Sequence, residues 1–291
     1  METALLTKVG EGNNVADIND DGTRIIFASM GWSSVNTVRI FEYSDSNDTW
    51  SQMGSNIGSW RNNYGCSLDG SGNRALVSGG ASSDRVGYVY DWNESNSSWD
   101  LYSNSSGESN FAEGAGGWNI DDTEFMVSWG TNSTISQDGN VIAFGQTLWG
   151  IGTGNPGWTG RVTIFSYNEN TDVWSQMGDD ISGEKMWGER DGQGITLNND
   201  GTVITISTPQ SDTDWTVDSN QNQTNEGQLR VFGFNGTSWV QVGSDIEGET
   251  TATTIGTRIA SNGTGTRHIT SLENGTTGAV KIFRGPSFNT S

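Results

Sequence analysis

With 291 residues, 14 lysines and arginines against 35 aspartates and glutamates, and a net charge of −21, the chain can bury a sizeable core but repels polyanions at long range. Nucleic acid and membrane insertion are therefore excluded: counterion-driven binding needs a basic surface, and no run approaches the roughly 20 apolar residues of a membrane span. Cys66 is the only cysteine, so no intrachain disulfide exists.

In chain order, Met1 to Lys8 lacks the basic and apolar regions of a signal peptide, which predicts use outside the general secretory route or a leader already removed. Leu6-Thr7-Lys8-Val9-Gly10 reads as a lone outer strand. Asn14 to Ile18, an Asp21-Gly22 turn and Arg24 to Ala28 read as a hairpin, a-b. Thr37 to Tyr43, a polar turn and Trp50-Ser51-Gln52-Met53-Gly54 read as a second hairpin, c-d. The pair then recurs. Tyr64 to Leu68 with Ala75 to Val77 leads to Gly87 to Trp92 and Trp99 to Tyr102. Ser133 to Ser136 with Val141 to Phe144 leads to Arg161 to Tyr167 and Trp174 to Gly178. Gly194 to Leu197 with Val203 to Ile206 leads to Gln228 to Phe234 and Trp239 to Gly243. A fifth copy, Thr257 to Ala260, Arg267 to Ile269 and Ala279 to Phe283, has no d strand, and Leu6 to Gly10 matches the missing piece. The expected fold is an all-β, five-bladed β-propeller of four-stranded antiparallel blades, closed by the N-terminal strand, with six blades as the alternative.

One domain, 1–291, is expected, with blades at about 13–58, 59–105, 132–183, 184–248 and 249–291 plus 1–12. Residues 106–131 stand out as an insertion. Within it, Asn119 to Trp129 reads as a further a-b hairpin, either inserted or the remnant of a sixth blade.

The repeats share apolar-Ser-x-Asp-Gly, Gly-x-Val-x-apolar-Phe/Tyr and Trp-x-Gln-apolar-Gly. Over essentially the whole chain they resemble the integrin-α/FG-GAP-like and kelch-like propeller families, of the kind seen in marine microbial and viral proteins. That resemblance implies a fold rather than a chemistry. Departures are the absence of a literal Phe-Gly and Gly-Ala-Pro pattern, and a Gly-Gly doublet only at Gly79-Gly80.

The b-c and d-a loops are long and rich in tryptophan, which suits indole faces to stacking on sugar rings. Trp32, Trp149, Trp158 and Trp215 fall in b-c loops, and Trp60 and Trp187 in d-a loops. Arg61, Arg190, Glu189 and Asp191 flank them, and Trp118 and Trp129 lie in the insertion. Trp50, Trp99, Trp174 and Trp239 recur at one strand position and are read as blade packing. Asp17, Asn19 and Asp21 match the opening of a calcium loop, D-x-N-x-D-G, but no closing carboxylate follows, and a hairpin turn is the better reading. No other cofactor is indicated. His268 is the only histidine and lies in an apolar arm without triad spacing, and a histidine metal cluster is excluded. Carboxylates Glu113, Asp121, Asp122, Glu184, Glu189 and Asp191 could supply a glycosidase pair, though no motif selects two. The favoured reading is a non-enzymatic adhesion module that binds glycans or a partner surface, on a virion or extracellular surface. A purely structural virion or assembly module and a glycoside hydrolase are the alternatives.

Overall fold

A computed structural model of the chain describes residues 15–28, 36–60, 63–81, 84–102, 118–119, 133–146, 160–183, 194–209, 226–248, 254–273 and 278–285. Among them every regular element is a β-strand, and the strands form five antiparallel sheets, the blades of a five-bladed β-propeller. The first blade comprises β1 (Val15–Ile18), β2 (Arg24–Ala28), β3 (Asn36–Ser44), β4 (Thr49–Gln52) and β5 (Ile57–Trp60). The second comprises β6 (Asn63–Leu68), β7 (Arg74–Ala81), β8 (Asp84–Asn93), β9 (Ser98–Leu101) and β10 (Trp118–Asn119). The third comprises β11 (Ser133–Ile135), β12 (Val141–Gln146), β13 (Arg161–Asn168), β14 (Val173–Gln176) and β15 (Ile181–Ser182). The fourth comprises β16 (Gly194–Leu197), β17 (Val203–Thr208), β18 (Gln228–Phe234), β19 (Trp239–Gln241) and β20 (Ile246–Glu247). The fifth comprises β21 (Thr254–Ser261), β22 (Arg267–Glu273) and β23 (Gly278–Arg284). Residues 1–12, expected to close the fifth blade, lie outside the described residues.

The backbone gathers into two compact units. One holds Met1–Asp121, Ser133–Ile142 and Tyr167–Ser175, the other Asp122–Asn132, Ala143–Ser166 and Gln176–Ser291. In the first, strand alternation points Ile26, Val38 and Ile40 of one blade at Cys66, Leu68, Ala75, Val77 and Trp99 of the next. Burial pushes the Cys66 thiol up, so it stays protonated and unreactive. In the second, Ile204, Ile206, Leu229 and Ile255 are sealed in the same way.

The five a-b hairpins hold together by one device, with the turn glycine preceded by aspartate in three of them, by Ser71 in the second and by Thr264 in the fifth. A side-chain oxygen of Asn19, Asp69, Ser136, Asn198 and Asn262 accepts the amide hydrogen of the residue five positions on, at 2.8–2.9 Å. The glycine of each turn sits at positive φ. Turns of successive blades are also joined. The Asp20 amide donates to the Gly70 carbonyl and the Gly70 amide to Gln137, while Asn199 donates to Gly263. The candidate calcium residues are spent in these roles. Asp17 accepts the Leu68 and Ile18 amides, and Asp21 accepts the Thr23 amide and hydroxyl. The D-x-N-x-D-G text is accounted for by the hairpin.

The outer strand comes in two pieces that both pair with strand c: β4 and β5 on β3, β14 and β15 on β13, β19 and β20 on β18. The Trp-x-Gln-apolar-Gly text explains the break. Gly54, Gly178 and Gly243 turn the chain at φ of 72°, 73° and 81°. Gln52, Gln176 and Gln241 bridge it by donating to Asn56, Asp180 and Asp245. The Trp99 indole donates to the Met53 carbonyl of the preceding blade at 3.0 Å, and Trp239 donates to Met177 at 2.6 Å. These tryptophans pack blades, as their shared position implies. In the second blade the resumed piece is β10, whose Trp118 and Asn119 pair with Gly87 and Val86. Part of the expected insertion is therefore outer strand of the second blade.

Candidate ligand-binding cleft

Trp32, Trp149, Trp158, Trp187, Trp215, Arg61 and Arg190 lie outside the described residues. So do Trp129, Glu113, Asp121, Asp122, Glu184, Glu189 and Asp191. Trp60 ends β5, paired with Asn36. The geometry that can be built from side chains lies at the other end of the strands, where the a-b and c-d turns meet.

Its centre is Arg74, the first residue of β7. Register sets Arg74 opposite Asp91 on β8, and the guanidinium grips that carboxylate through Nε at 2.6 Å and Nη2 at 3.2 Å. Nη1 donates to the Gly139 carbonyl at 3.0 Å. The charged carbon lies 4.9 Å from the Tyr167 ring centroid and 5.8 Å from that of Trp174, within cation–π range. Burial alone would lower the Arg74 pKa, but Asp91 more than offsets it, and the guanidinium is held charged. Over this arginine opens a cleft of about 290 Å³, walled by Trp92 and Tyr167 and edged by Asp69, Asp91, Asp138, Glu169, Asn73 and Asn140.

The preceding blade shows why the cleft opens here. Arg24 is the counterpart of Arg74. It grips Glu42 through Nε and Nη2, donates to the Gly72 carbonyl, and also holds the Asn73 side-chain oxygen. At Arg74 the matching asparagine, Asn140, instead points its amide at Glu169, 3.5 Å away. Glu169 in turn has lost the partner of its counterpart. Glu94 accepts the Trp92 indole hydrogen at 2.6 Å, whereas Tyr167, in the Trp92 place, donates to Asp172. Asp172 also takes the Tyr102 hydroxyl, at 2.8 Å. Burial, then the bond to Asp172, raises the pKa of both phenols, which act as fixed donors.

The remaining carboxylates are tethered. Asp69 accepts the Arg74 amide and the Ser71 hydroxyl, and Asp138 accepts the Ser136 hydroxyl and the Asn140 amide. Such groups present hydrogen-bond acceptors at fixed places along the cleft.

His268 is 1% exposed, and its Nδ1 lies 2.9 Å from the Thr205 hydroxyl. Sealed from solvent, the pair offers no substrate a path. Burial lowers the His268 pKa, opposed by the Gly265 backbone. The folded state therefore takes its proton at lower pH than the unfolded chain, whose histidine titrates near pH 6.5. Stability is full above about pH 6.5 and falls as pH drops from there through the folded value. Urea unfolding at pH 7.5 and pH 5.5 is expected to show a smaller loss for His268→Gln than for the natural chain; equal losses would remove histidine as the cause.

The sequence places candidate binding residues on the tryptophan loops and does not single out the turn end. A signal existed: arginine opens strand b at Arg24 and Arg74, and an acid stands at the paired place in strand c, Glu42 and Asp91. In the fifth blade Arg267 meets Arg284 instead.

No family model matches the chain, and no curated protein matches it. Solved structures do. The Pseudomonas aeruginosa periplasmic gluconolactonase PpgL matches with a TM-score of 0.54 at 11% identity, over 94% of this chain and 72% of that one. Hydrazine synthase of Kuenenia stuttgartiensis matches with 0.52 at 9%, over 92% and 70%. A functionally unknown protein of Desulfotomaculum acetoxidans matches with 0.51 at 12%, over 94% and 71%. Across proteins of such different names, what is shared at this identity is the propeller fold.

Proposed function

We propose that the protein is a non-catalytic binding module for carbohydrate, displayed on a virion or an extracellular surface. The observation that carries this reading is the state of the acids around Arg74. Asp69, Asp91 and Asp138 are locked as acceptors by backbone amides, hydroxyls and a guanidinium beside an open, aromatic-walled cleft. Fixed acceptors next to ring faces are what a sugar, with its many hydroxyls and apolar face, requires of a protein. The tryptophans of the b-c and d-a loops supply further stacking surface in this reading. Asp69 and Asp138 hold their turns as their counterparts do in other blades, so discrimination among sugars falls to the positions where the repeats diverge, Asn140 and Glu169.

The test is a titration with a panel of oligosaccharides, followed by intrinsic tryptophan fluorescence. Saturable quenching by one class of glycan is expected, and weakened binding in at least one of Trp158→Ala, Trp187→Ala and Trp215→Ala with the fold retained. A flat response across the panel would overturn the proposal and favour a structural module whose partner is another protein.

A further inference from the structure

We infer that the cleft over Arg74 is itself a sugar subsite, that it takes one neutral or amino-substituted pyranose ring, and that it rejects acidic sugars. The inference rests on the carbohydrate-binding reading above and assigns it a place and a selectivity.

Size comes first. A hollow of about 290 Å³ lies at the lower edge of the range for small-molecule pockets and accommodates one ring rather than a chain. Composition comes next. Trp92 and Tyr167 wall the hollow; the Tyr167 face is already covered by the Arg74 guanidinium, so a ring enters with its apolar face against Trp92. Asn140 can both donate and accept, and Glu169 accepts from any hydroxyl or amino hydrogen that reaches it. Divergence between repeats singles out these two groups. Where Asn73 is tied to Arg24 and Glu94 to Trp92, the Asn140 and Glu169 side chains have, among the described residues, only their 3.5 Å contact with each other. A contact at the limit of hydrogen-bonding distance costs little to exchange for a ligand.

Selectivity follows from charge. Four carboxylates edge the hollow, Asp69, Asp91, Asp138 and Glu169, and Arg74 is the cation among its lining residues, already committed to Asp91. A uronic or sialic acid would bring a further negative charge into this field, with no uncommitted cation among the described lining residues to receive it. A hydroxyl is tolerated, and an ammonium group is favoured.

The experiment uses the full chain and four probes read by calorimetry and tryptophan fluorescence: a glucose oligomer, a glucosamine oligomer, a galacturonate oligomer and butylamine. The glucose or glucosamine oligomer should bind, galacturonate at least tenfold more weakly, and butylamine not measurably at matched concentration. Glu169→Ala and Asn140→Ala should each weaken sugar binding, the former about tenfold, as expected for losing an acceptor of a charge-assisted hydrogen bond. Both residues lie at the rim, so thermal unfolding of the variants should match the natural chain. Sugar binding untouched by either substitution but lost in the tryptophan-loop variants would overturn this subsite and leave the broader reading standing. Absence of binding by every oligosaccharide would overturn both. Butylamine binding as tightly as the sugars would make the cleft a simple cation site and overturn the assignment.

Discussion

Gly227→Ala is expected to destabilise the protein by about 3–5 kcal/mol, far more than an alanine at another left-handed glycine. Gly227 precedes β18 at φ 76°, a conformation in which any side chain is strained. Its neighbours make the difference. A Cβ there would stand 2.2 Å from the Ile255 carbonyl oxygen and 3.0 Å from that residue's backbone nitrogen, in the first pairs of β21. The groups it would displace are engaged: the Ile255 amide donates to the Glu226 carbonyl, and the Gly227 carbonyl accepts from Gly248. The methyl group cannot be accommodated without parting β18 from β21. Gly236 is the control, at φ 97° with nothing within 4 Å of a Cβ, where alanine should cost only about 1 kcal/mol of strain. Urea unfolding of the two variants measures the difference. Equal midpoints would show that the strands yield, and the close approach would carry no weight.

Arg74→Ala should cost about 2–4 kcal/mol, and Arg74→Lys should recover less than half of that. The Arg74 side chain is 17% exposed and its partner Asp91 40%, so the pair is neither a surface ion pair of negligible worth nor a fully desolvated one. Truncation removes a bidentate grip, strips the Gly139 carbonyl of its donor and uncovers Tyr167 and Trp174. Water can reach Asp91 afterwards, which keeps the loss below that of a buried orphaned charge. Lysine keeps the charge, but one ammonium cannot reproduce the bidentate grip on Asp91 and also reach the Gly139 carbonyl. A double-mutant cycle with Asp91→Ala should return a coupling of about 1–2 kcal/mol. A truncation within about 0.5 kcal/mol of the natural chain would show that the aromatic surface and water replace the guanidinium without loss.

The blade order, the strand pairs and the packing role of Trp99 and Trp239 could be read in advance because each is a local pattern written several times. Alternation marks the strand, Asp-Gly or Asn-Gly marks the turn, and repetition marks the array. The two-piece outer strand was less visible, although its cause, glycine after Gln-apolar, is present at Gly54, Gly178 and Gly243. Its effect is a change of backbone direction that side-chain patterning does not report. The cleft over Arg74 was legible only in hindsight. It arises from differences between copies, Asp172 where another blade has Ser97, and Tyr167 where another has Trp92. The consequence of each exchange appears on a neighbouring residue, Glu169, rather than at the exchanged position. Gly227 is similar, since nothing near it in the chain announces that Ile255 will lie against it.

The broken outer strand has a bearing on how such a chain can change. In three blades the two pieces are separated by residues 53–56, 177–180 and 242–245; in the second blade the pairing stops at Leu101 and resumes at Trp118. Both pieces are nonetheless paired with β8, so the added text shifts no register. Lengthening a loop at such a point costs little, about 0.6 kcal/mol for each doubling. The outer edge of a blade is thus a hospitable place for foreign sequence, and an epitope or a small domain grafted between the two pieces of the first, third or fourth blade should be carried without loss of the scaffold.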